Sequence, residues 1–516
     1  MFSKNPGVAH SFWAVLAASL ATIGVLVLAL AWRPENRPEG RTLWIFCAAG
    51  IRPPVEAAAK AYEKAYGVQV QIQEGNSGGL LAQIEVAKKG DLFLPADESF
   101  IQLARGKGLV AEAIPLARMR MVLAVKPGNP KKLQALQDLL REDVQFAVAN
   151  PEAAVGKFTQ RFLEQAGLWD RIKAKAKVFK PTVTELAMDV KESAGIDASL
   201  LWDATARQFG LETLEVPEFK GAASHVTLGV LTSSQYPTAA LRFARYLAAR
   251  DQGQMEFKRS HYEPEGGDAW EETPVLTLYG GGLNKPAIKE TLEEFQQREG
   301  VEIKYTFQGC GTLVGMMKAG RIPDIYFACD GSFFWGEVSE HFQDARTLSE
   351  TDMVIIVYKG NPKNIHALAD LAQADLKVGV ANELATLGKL TKRLFEKAGI
   401  AEKVRPNIRS EQATGDALVA QVIARQGAGG LDAAVVYAAN AAGAREHLDL
   451  VHIQDPLALA VQPIAIGKFS EHKQLAGRFV EALTSARSRK RFESRGFRWH
   501  VEPASGSATP PEAERP

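Results

Sequence analysis

Residues 74–97 read EGNSGGLLAQIEVAKKGDLFLPAD, and residues 307–330 read FQGCGTLVGMMKAGRIPDIYFACD. Each stretch opens on a Gly-rich turn and passes through an apolar helical segment. Each ends in an Asp-led strand closed by a small residue and an aspartate. Ser77 of the first stands where Cys310 stands in the second, 233 positions on. The match extends outward on both sides. LWIFCAAGIRPPVEAAAKAYEKAYGVQVQI pairs with LTLYGGGLNKPAIKETLEEFQQREGVEIKY, and KPGNPKKLQALQDL pairs with YKGNPKNIHALADL. VANPEAAVGKFTQRFLEQAGL pairs in part with VGVANELATLGKLTKRLFEKAGI. The offset stays between 232 and 235 positions. A period this long marks a duplicated domain and not a solenoid repeat. The copies are expected at 41–262 and 273–500. The linker between them, 263–272, is rich in Pro, Gly and acidic residues.

Within each copy short apolar runs alternate with amphipathic ones. LWIFCA reads as a buried strand, VEAAAKAYEKAY as a helix, VQVQIQ as an alternating strand, LLAQIEVAKK as a helix and DLFLPA as a strand. Strand–helix–strand alternation predicts an α/β fold with parallel sheets covered by helices on both faces. A second set follows in each copy, beginning RMRMVLAVKP and VQFAVAN. Each copy is therefore expected to hold two α/β lobes with a central cleft, with ligands bound at the carboxyl ends of strands.

The whole chain sets further bounds. Its 516 residues exceed what one core supports. Lys and Arg number 61 against 60 Asp and Glu, which gives no nucleic-acid footprint. Three cysteines exclude a disulfide scaffold and a Cys-rich metal site, and leave at least one thiol free or paired with another chain. From Ser11 to Trp32 no residue is charged, and this run of 22 is long enough for one transmembrane helix. Lys4 ahead of it favours a cytoplasmic segment 1–10. Ala29-Leu30-Ala31 also carries the spacing of a signal cleavage site. Under either reading, anchor or cleaved signal, the body is exported. Residues 33–40 form a polar linker, and 501–516 form a small, polar, Pro-rich tail expected to be disordered.

The chemistry is expected at the turns where a strand hands over to a helix. The first copy places Ala48-Ala49-Gly50, Gly75-Asn76-Ser77-Gly78 and 151–156 there. The second places Gly280-Gly281-Gly282, Gly309-Cys310-Gly311-Thr312 and 383–388 there. The first turn of a helix leaves backbone N–H groups unpaired, and the helix dipole favours negative charge beside them. Glycine admits close approach to that backbone. Several helix N-termini aimed into one cleft hold an oxyanion without any Lys or Arg. The nine His show no zinc spacing. No Gly-x-Ser-x-Gly, Walker or His-Glu-x-x-His motif occurs, so no enzyme activity, cofactor or metal centre is expected.

At these residues the chain resembles the periplasmic molybdate/tungstate-binding proteins of ABC importers, with the type II periplasmic-binding-protein fold. FCAAGIRPPVEAAAKAYEKAYGVQVQI, GNSGGLLAQIE, DLFLPADESFI, VANPEAAVGKFTQRFLEQAGLWDRI and LDAAVVYAANA carry the resemblance. It implies two tandem solute-binding domains behind one transmembrane helix, and an anion pocket of five elements in each. A first-turn residue falls on Gly50 and Gly282, where the family usually has Ser. The second-turn Ser falls on Ser77 and on Cys310. Backbone donors fall near Val155 and Val183, and near Leu387 and Thr414. A Tyr after an apolar strand falls on Tyr437, with Trp202 in its place in the first copy. The implied ligand is a tetrahedral oxyanion, molybdate or tungstate first, with sulfate or phosphate as alternatives. The implied partners are an ABC-type permease and the bacterial inner membrane through the N-terminal helix, with the bulk of the chain periplasmic. A tethered sensor or adaptor, in which one copy has lost or changed its ligand, is the reading from another class.

The Ser-to-Cys exchange replaces a good donor by a poor one. Cys310 is expected as a neutral thiol, with the backbone doing the binding. A thiolate at the helix terminus and a disulfide with Cys329 are the alternatives. Asp97 and Asp330 read as structural, and Arg52 as a surface residue.

Overall fold

The computed structural model describes residues 42–424 and 430–501. The segment read as membrane-spanning, 11–32, its flanks 1–10 and 33–40, and the tail beyond 501 lie outside the described residues. Among the described residues no helix is long and apolar enough to cross a membrane.

The first domain opens with β1 (Thr42–Ala48), which pairs in parallel with β2 (Gln69–Gly75) and β3 (Leu92–Leu94). Between β1 and β2 runs the helix Arg52–Tyr66. Proline sits in its first turn, where a missing N–H costs nothing. Val55, Ala58, Ala59 and Tyr62 form its buried stripe. Gly67 ends it in the left-handed region at φ 68°. The second copy repeats this punctuation: helix Lys285–Glu299 has proline in its first turn and Gly300 at φ 65° behind it.

The strand that organises the domain is β4 (Val110–Val125). Its residues Val110–Arg120 pair antiparallel with β9 (Ala223–Leu231), and Met121–Val125 pair antiparallel with β7 (Ala198–Trp202). It thus belongs to both lobes. The strand order is β2-β1-β3-β9-β4-β7-β5-β6, where β5 is Phe146–Ala149 and β6 is Val178–Lys180. The sheets are therefore mixed, not parallel as expected. Apolar patterning reports which strands are buried, and is silent on the direction of a strand that passes from one lobe to the other.

The second domain reproduces the topology. Its order is β12-β11-β13-β19-β14-β17-β15-β16, with β11 at Val275–Gly281, β12 at Glu302–Gln308 and β13 at Ile325–Phe327. The shared strand is β14 (Phe342–Tyr358); β15 is Val378–Ala381, β16 Ile408–Gln412, β17 Ala433–Tyr437 and β19 Leu459–Gly467. Glu263 and Pro264, read as the start of the linker, pair with Arg118 and Ala117 of β4 and so extend the first domain.

A buried ion cluster joins the two domains. Glu299, at the end of its helix, is 1% exposed. It accepts from Arg245 Nη1 of the first domain (3.0 Å) and from Arg478 Nε and Nη2 of the second (2.7 and 3.1 Å). Beside it Arg298 forms a bidentate pair with Glu112 (2.8 and 3.0 Å). Asp268 of the connecting segment accepts from the N–H groups of Gln474 and Leu475, each at 2.9 Å, at the start of helix Lys473–Leu483. Burial alone would raise the Glu299 carboxyl, but the two guanidinium groups hold it below its ordinary value.

Removing one member of such a cluster strands the others in a dry interior. Glu299→Ala is expected to lower the chain's stability in chemical denaturation by about 3–5 kcal/mol. A carboxyl whose folded value lies below its unfolded one stabilises above the unfolded value. That contribution is expected to disappear as pH falls through the folded value, and to be missing from the pH profile of the variant.

Candidate functional site

The turns of the two lobes in the first domain meet across a cleft. Gly50, Ser77, Val155, Val183 and Trp202, singled out in the first copy, all line it. Asn76, Ala96, Thr182 and Tyr262 line it too. No Lys, Arg, His, Asp or Glu is among the lining residues.

Three helices begin at this cleft: Ser77–Ala87, Ala154–Gln165 and Val183–Glu192. Two of them carry side-chain caps. Asn76 Oδ1 accepts from the N–H of Gly79 (2.7 Å), and Thr182 Oγ1 from that of Glu185 (3.2 Å). Ala153, which caps the third, brings no side-chain acceptor, so the first-turn amides of Ala154–Gln165 are left for a ligand. Ser77 Oγ accepts from the N–H of Ala96 (3.1 Å), which leaves its own hydrogen to donate. Trp202 Nε1 is buried without an acceptor. The cleft is thus a set of N–H and O–H donors with no charged side chain, which is chemistry suited to an anion.

Close approaches hold these donors in place. A Cβ on Gly50 would lie 2.7 Å from Val183 Cγ1 and 3.2 Å from Thr205 Oγ1, so the side chain of Val183 takes the space a serine there would need. Tyr262 Oη donates to the carbonyl of Gly50 (2.6 Å) and pins the turn. A Cβ on Gly156 would fall inside the carbonyl oxygen of Asn150. The lobes touch as well: the N–H of Gly78 donates to the carbonyl of Glu152 (2.9 Å). Lys157 lies 4.8 Å above the Phe100 ring and donates to Ser99 Oγ (3.1 Å). Of the lining residues outside the turns singled out from sequence, Thr182 carries an N-cap signal that would have found it. Tyr262 carries none.

The second domain corrects two of the equivalences drawn from sequence. Strand register pairs Ala48 with Gly75 and Gly281 with Gln308, which makes Ala49 the counterpart of Gly282 and Leu283 that of Gly50. The helices beginning at Val183 and Gly415 make Thr414 the counterpart of Thr182, not of Val183. Single-residue slips of this kind arise because Gly-rich turns align equally well in neighbouring registers. The remaining pairs hold: Ser77 with Cys310, Val155 with Leu387, and Trp202 with Tyr437, which face Met121 and Met353 on the shared strands.

Cys310 is neither the neutral thiol expected nor a thiolate. It is joined to Cys329 in a disulfide, and Cys47 is the free, buried cysteine among the described residues. The reason is spatial. Ala96 abuts Ser77 in the first domain, and Cys329 occupies the place of Ala96. Cys329 Sγ also lies 3.4 Å from Thr386 Oγ1, at the first turn of helix Thr386–Lys397. Tyr437 Oη is buried without a partner, and burial keeps its phenol protonated. Leu283 packs against the core clusters of both lobes. Lys389 over the Phe333 ring (4.4 Å) repeats the Lys157–Phe100 contact.

Asp97 and Asp330 act as caps, accepting from the N–H groups of Ser99 and Ser332 (3.0 Å each). Arg52 is exposed and paired with Glu74 (2.7 Å). Among the described residues no cluster of three or more His, Cys, Asp or Glu is placed to hold a metal ion.

The family model described as bacterial extracellular solute-binding protein matches the chain twice, over residues 43–263 and 276–498. The molybdate-binding protein ModA of Mycobacterium bovis is 25% identical over 229 residues, 43% of this chain and 84% of that protein. An aconitate isomerase of a Pseudomonas species is 26% identical over 243 residues, 44% of this chain and 90% of that protein. The solved periplasmic molybdate-binding protein of Azotobacter vinelandii aligns with a TM-score of 0.38 at 19% identity, covering 43% of this chain and all of that one.

Gly156→Ala is expected to push the start of helix Ala154–Gln165 off the carbonyl of Asn150. The expected loss of stability is about 1–3 kcal/mol, read by chemical denaturation, whereas Gly106→Ala, whose Cβ meets nothing, changes it little.

Proposed function

Because the chain belongs to the bacterial extracellular solute-binding protein family, we propose that the cleft of its first domain captures a tetrahedral oxyanion, molybdate or tungstate, for an ABC-type permease. The observation that carries the reading is the convergence of three helix N-termini and the unpaired Trp202 Nε1 on a cleft without charged side chains. A dianion there meets N–H and O–H donors and no charged side chain. The lining brings no carboxylate to receive a proton, so a protonated anion gains less.

Capture is a closure. The lobes swing about β4 and the segment returning to β9, and the contacts Gly78–Glu152 and Lys157–Ser99 latch them over the ligand. Exclusion of water then strengthens each N–H···O contact. Release to the permease is the reverse, with the latches breaking first. Residues 11–32 hold the chain at the inner membrane and keep the binding domains near the permease.

No catalytic step is assigned. Tyr262 is the one lining side chain that titrates, its hydroxyl is committed to Gly50, and burial raises it further out of range.

Calorimetric titration of the full-length chain with molybdate, tungstate and sulfate tests the reading. Ser77→Ala and Trp202→Phe are each expected to weaken molybdate binding by about 10- to 100-fold, the effect of losing a hydrogen bond to a charged group. Absence of heat and of any melting shift with all three anions would sink the oxyanion assignment.

A further inference from the structure

We propose that the second cleft is also an oxyanion site, and that the Cys310–Cys329 disulfide keeps it weak until a dithiol reductant opens the bond. The inference rests on the oxyanion reading of the first cleft.

The second domain keeps part of the arrangement that forms the first cleft. Helices Thr386–Lys397 and Gly415–Ala424 begin where Ala154–Gln165 and Val183–Glu192 begin. Ala385, like Ala153, caps without a side-chain acceptor, so first-turn amides stay available. Tyr437 takes the position of Trp202; the residue is 4% exposed, and its hydroxyl is buried with no acceptor. A buried phenol without a partner is costly, and an acceptor supplied by a ligand removes the cost.

What the second domain lacks is the donor of Ser77 and the open turn of Gly50, whose counterpart Leu283 packs against the cores of both lobes. The two positions that carry the disulfide are those of Ser77 and Ala96, both of which line the first cleft. The bond therefore takes the place of two lining residues of the first cleft, with Cys329 Sγ in contact with Thr386 of the opposite lobe. The N–H of Cys329 points at Cys310 Sγ (3.2 Å), just as the N–H of Ala96 points at Ser77 Oγ. In the first domain the hydroxyl accepts that bond and still has a hydrogen to give. A disulfide sulfur accepts it and has none.

Reduction restores the hydrogen. A thiolate of an external dithiol attacks one sulfur and breaks the S–S bond, giving a mixed disulfide. The second thiol of the reductant then displaces it, leaving Cys310 and Cys329 as thiols and the reductant as its own disulfide, with two electrons and two protons passed to the protein. Cys310 S–H then stands where Ser77 O–H stands, as a weaker donor.

The order of affinities follows: disulfide below dithiol, dithiol below a serine. The test is calorimetric titration of the full-length chain with tungstate in three states: oxidised, reduced and freed of reductant under argon, and as the double variant Cys310→Ser with Cys329→Ala. That variant installs the first domain's own residues, so it is compatible with the fold. Ser77→Ala in each state identifies which event belongs to the first cleft. The expected result is one tight and one weak event in the oxidised chain. The weak event tightens about fivefold on reduction and about 10- to 100-fold in the double variant. Equal second-site affinity in all three states, or no second event in the double variant, overturns the gating while leaving the first cleft intact. Loss of both events in every state overturns the oxyanion reading and the inference together.

Discussion

Strand β4 serves two sheets at once, and this constraint places everything else. A parallel strand–helix unit presents its helix N-termini at the carboxyl edge of its sheet. Because β4 passes its pairing from β9 to β7 between Arg120 and Met121, the carboxyl edges of the two lobes face each other. The unpaired amides of both lobes then look into one space. Gly156 and Gly388 complete the arrangement. Each leaves no room for a Cβ against a carbonyl oxygen, that of Asn150 or of Asn382, and so lets its helix start deep in the cleft.

Charge is distributed in the opposite sense. The first cleft is lined without a charged side chain, while the domain junction buries Glu299 between Arg245 and Arg478. A ligand held by backbone amides meets donors already fixed by helix geometry, with no long side chain to immobilise. A buried carboxylate at a junction needs its partners in full, and this makes the junction intolerant of alternatives. On the proposed reading, binding falls chiefly to backbone amides, and the joining of domains falls to charged side chains.

The copies have diverged by coupled changes among neighbours in space. Gly50 is covered by Val183, whereas its counterpart Leu283 packs against both lobes and Val183 is replaced by Gly415. Tyr262, which pins Gly50, gives way to Phe497 in the second copy. Ser77 and Ala96 give way together to Cys310 and Cys329. Each pair is separated along the chain and brought together in the fold, so one change leaves room or reason for the other.

The duplication, the α/β class, the two lobes and the turns that face the cleft are all legible in the sequence. They follow from local periodicity and from glycine and proline punctuation, which the backbone obeys residue by residue. The five first-copy positions drawn from the family resemblance all line one cleft. Four things were decided only by tertiary structure: the mixed direction of the sheets, the register that pairs Gly50 with Leu283, the contact of Tyr262 with Gly50, and the closure of Cys310 onto Cys329. Each depends on which distant segments come to lie side by side. Local pattern says which face of a strand or helix is buried, and only the assembled fold says against what.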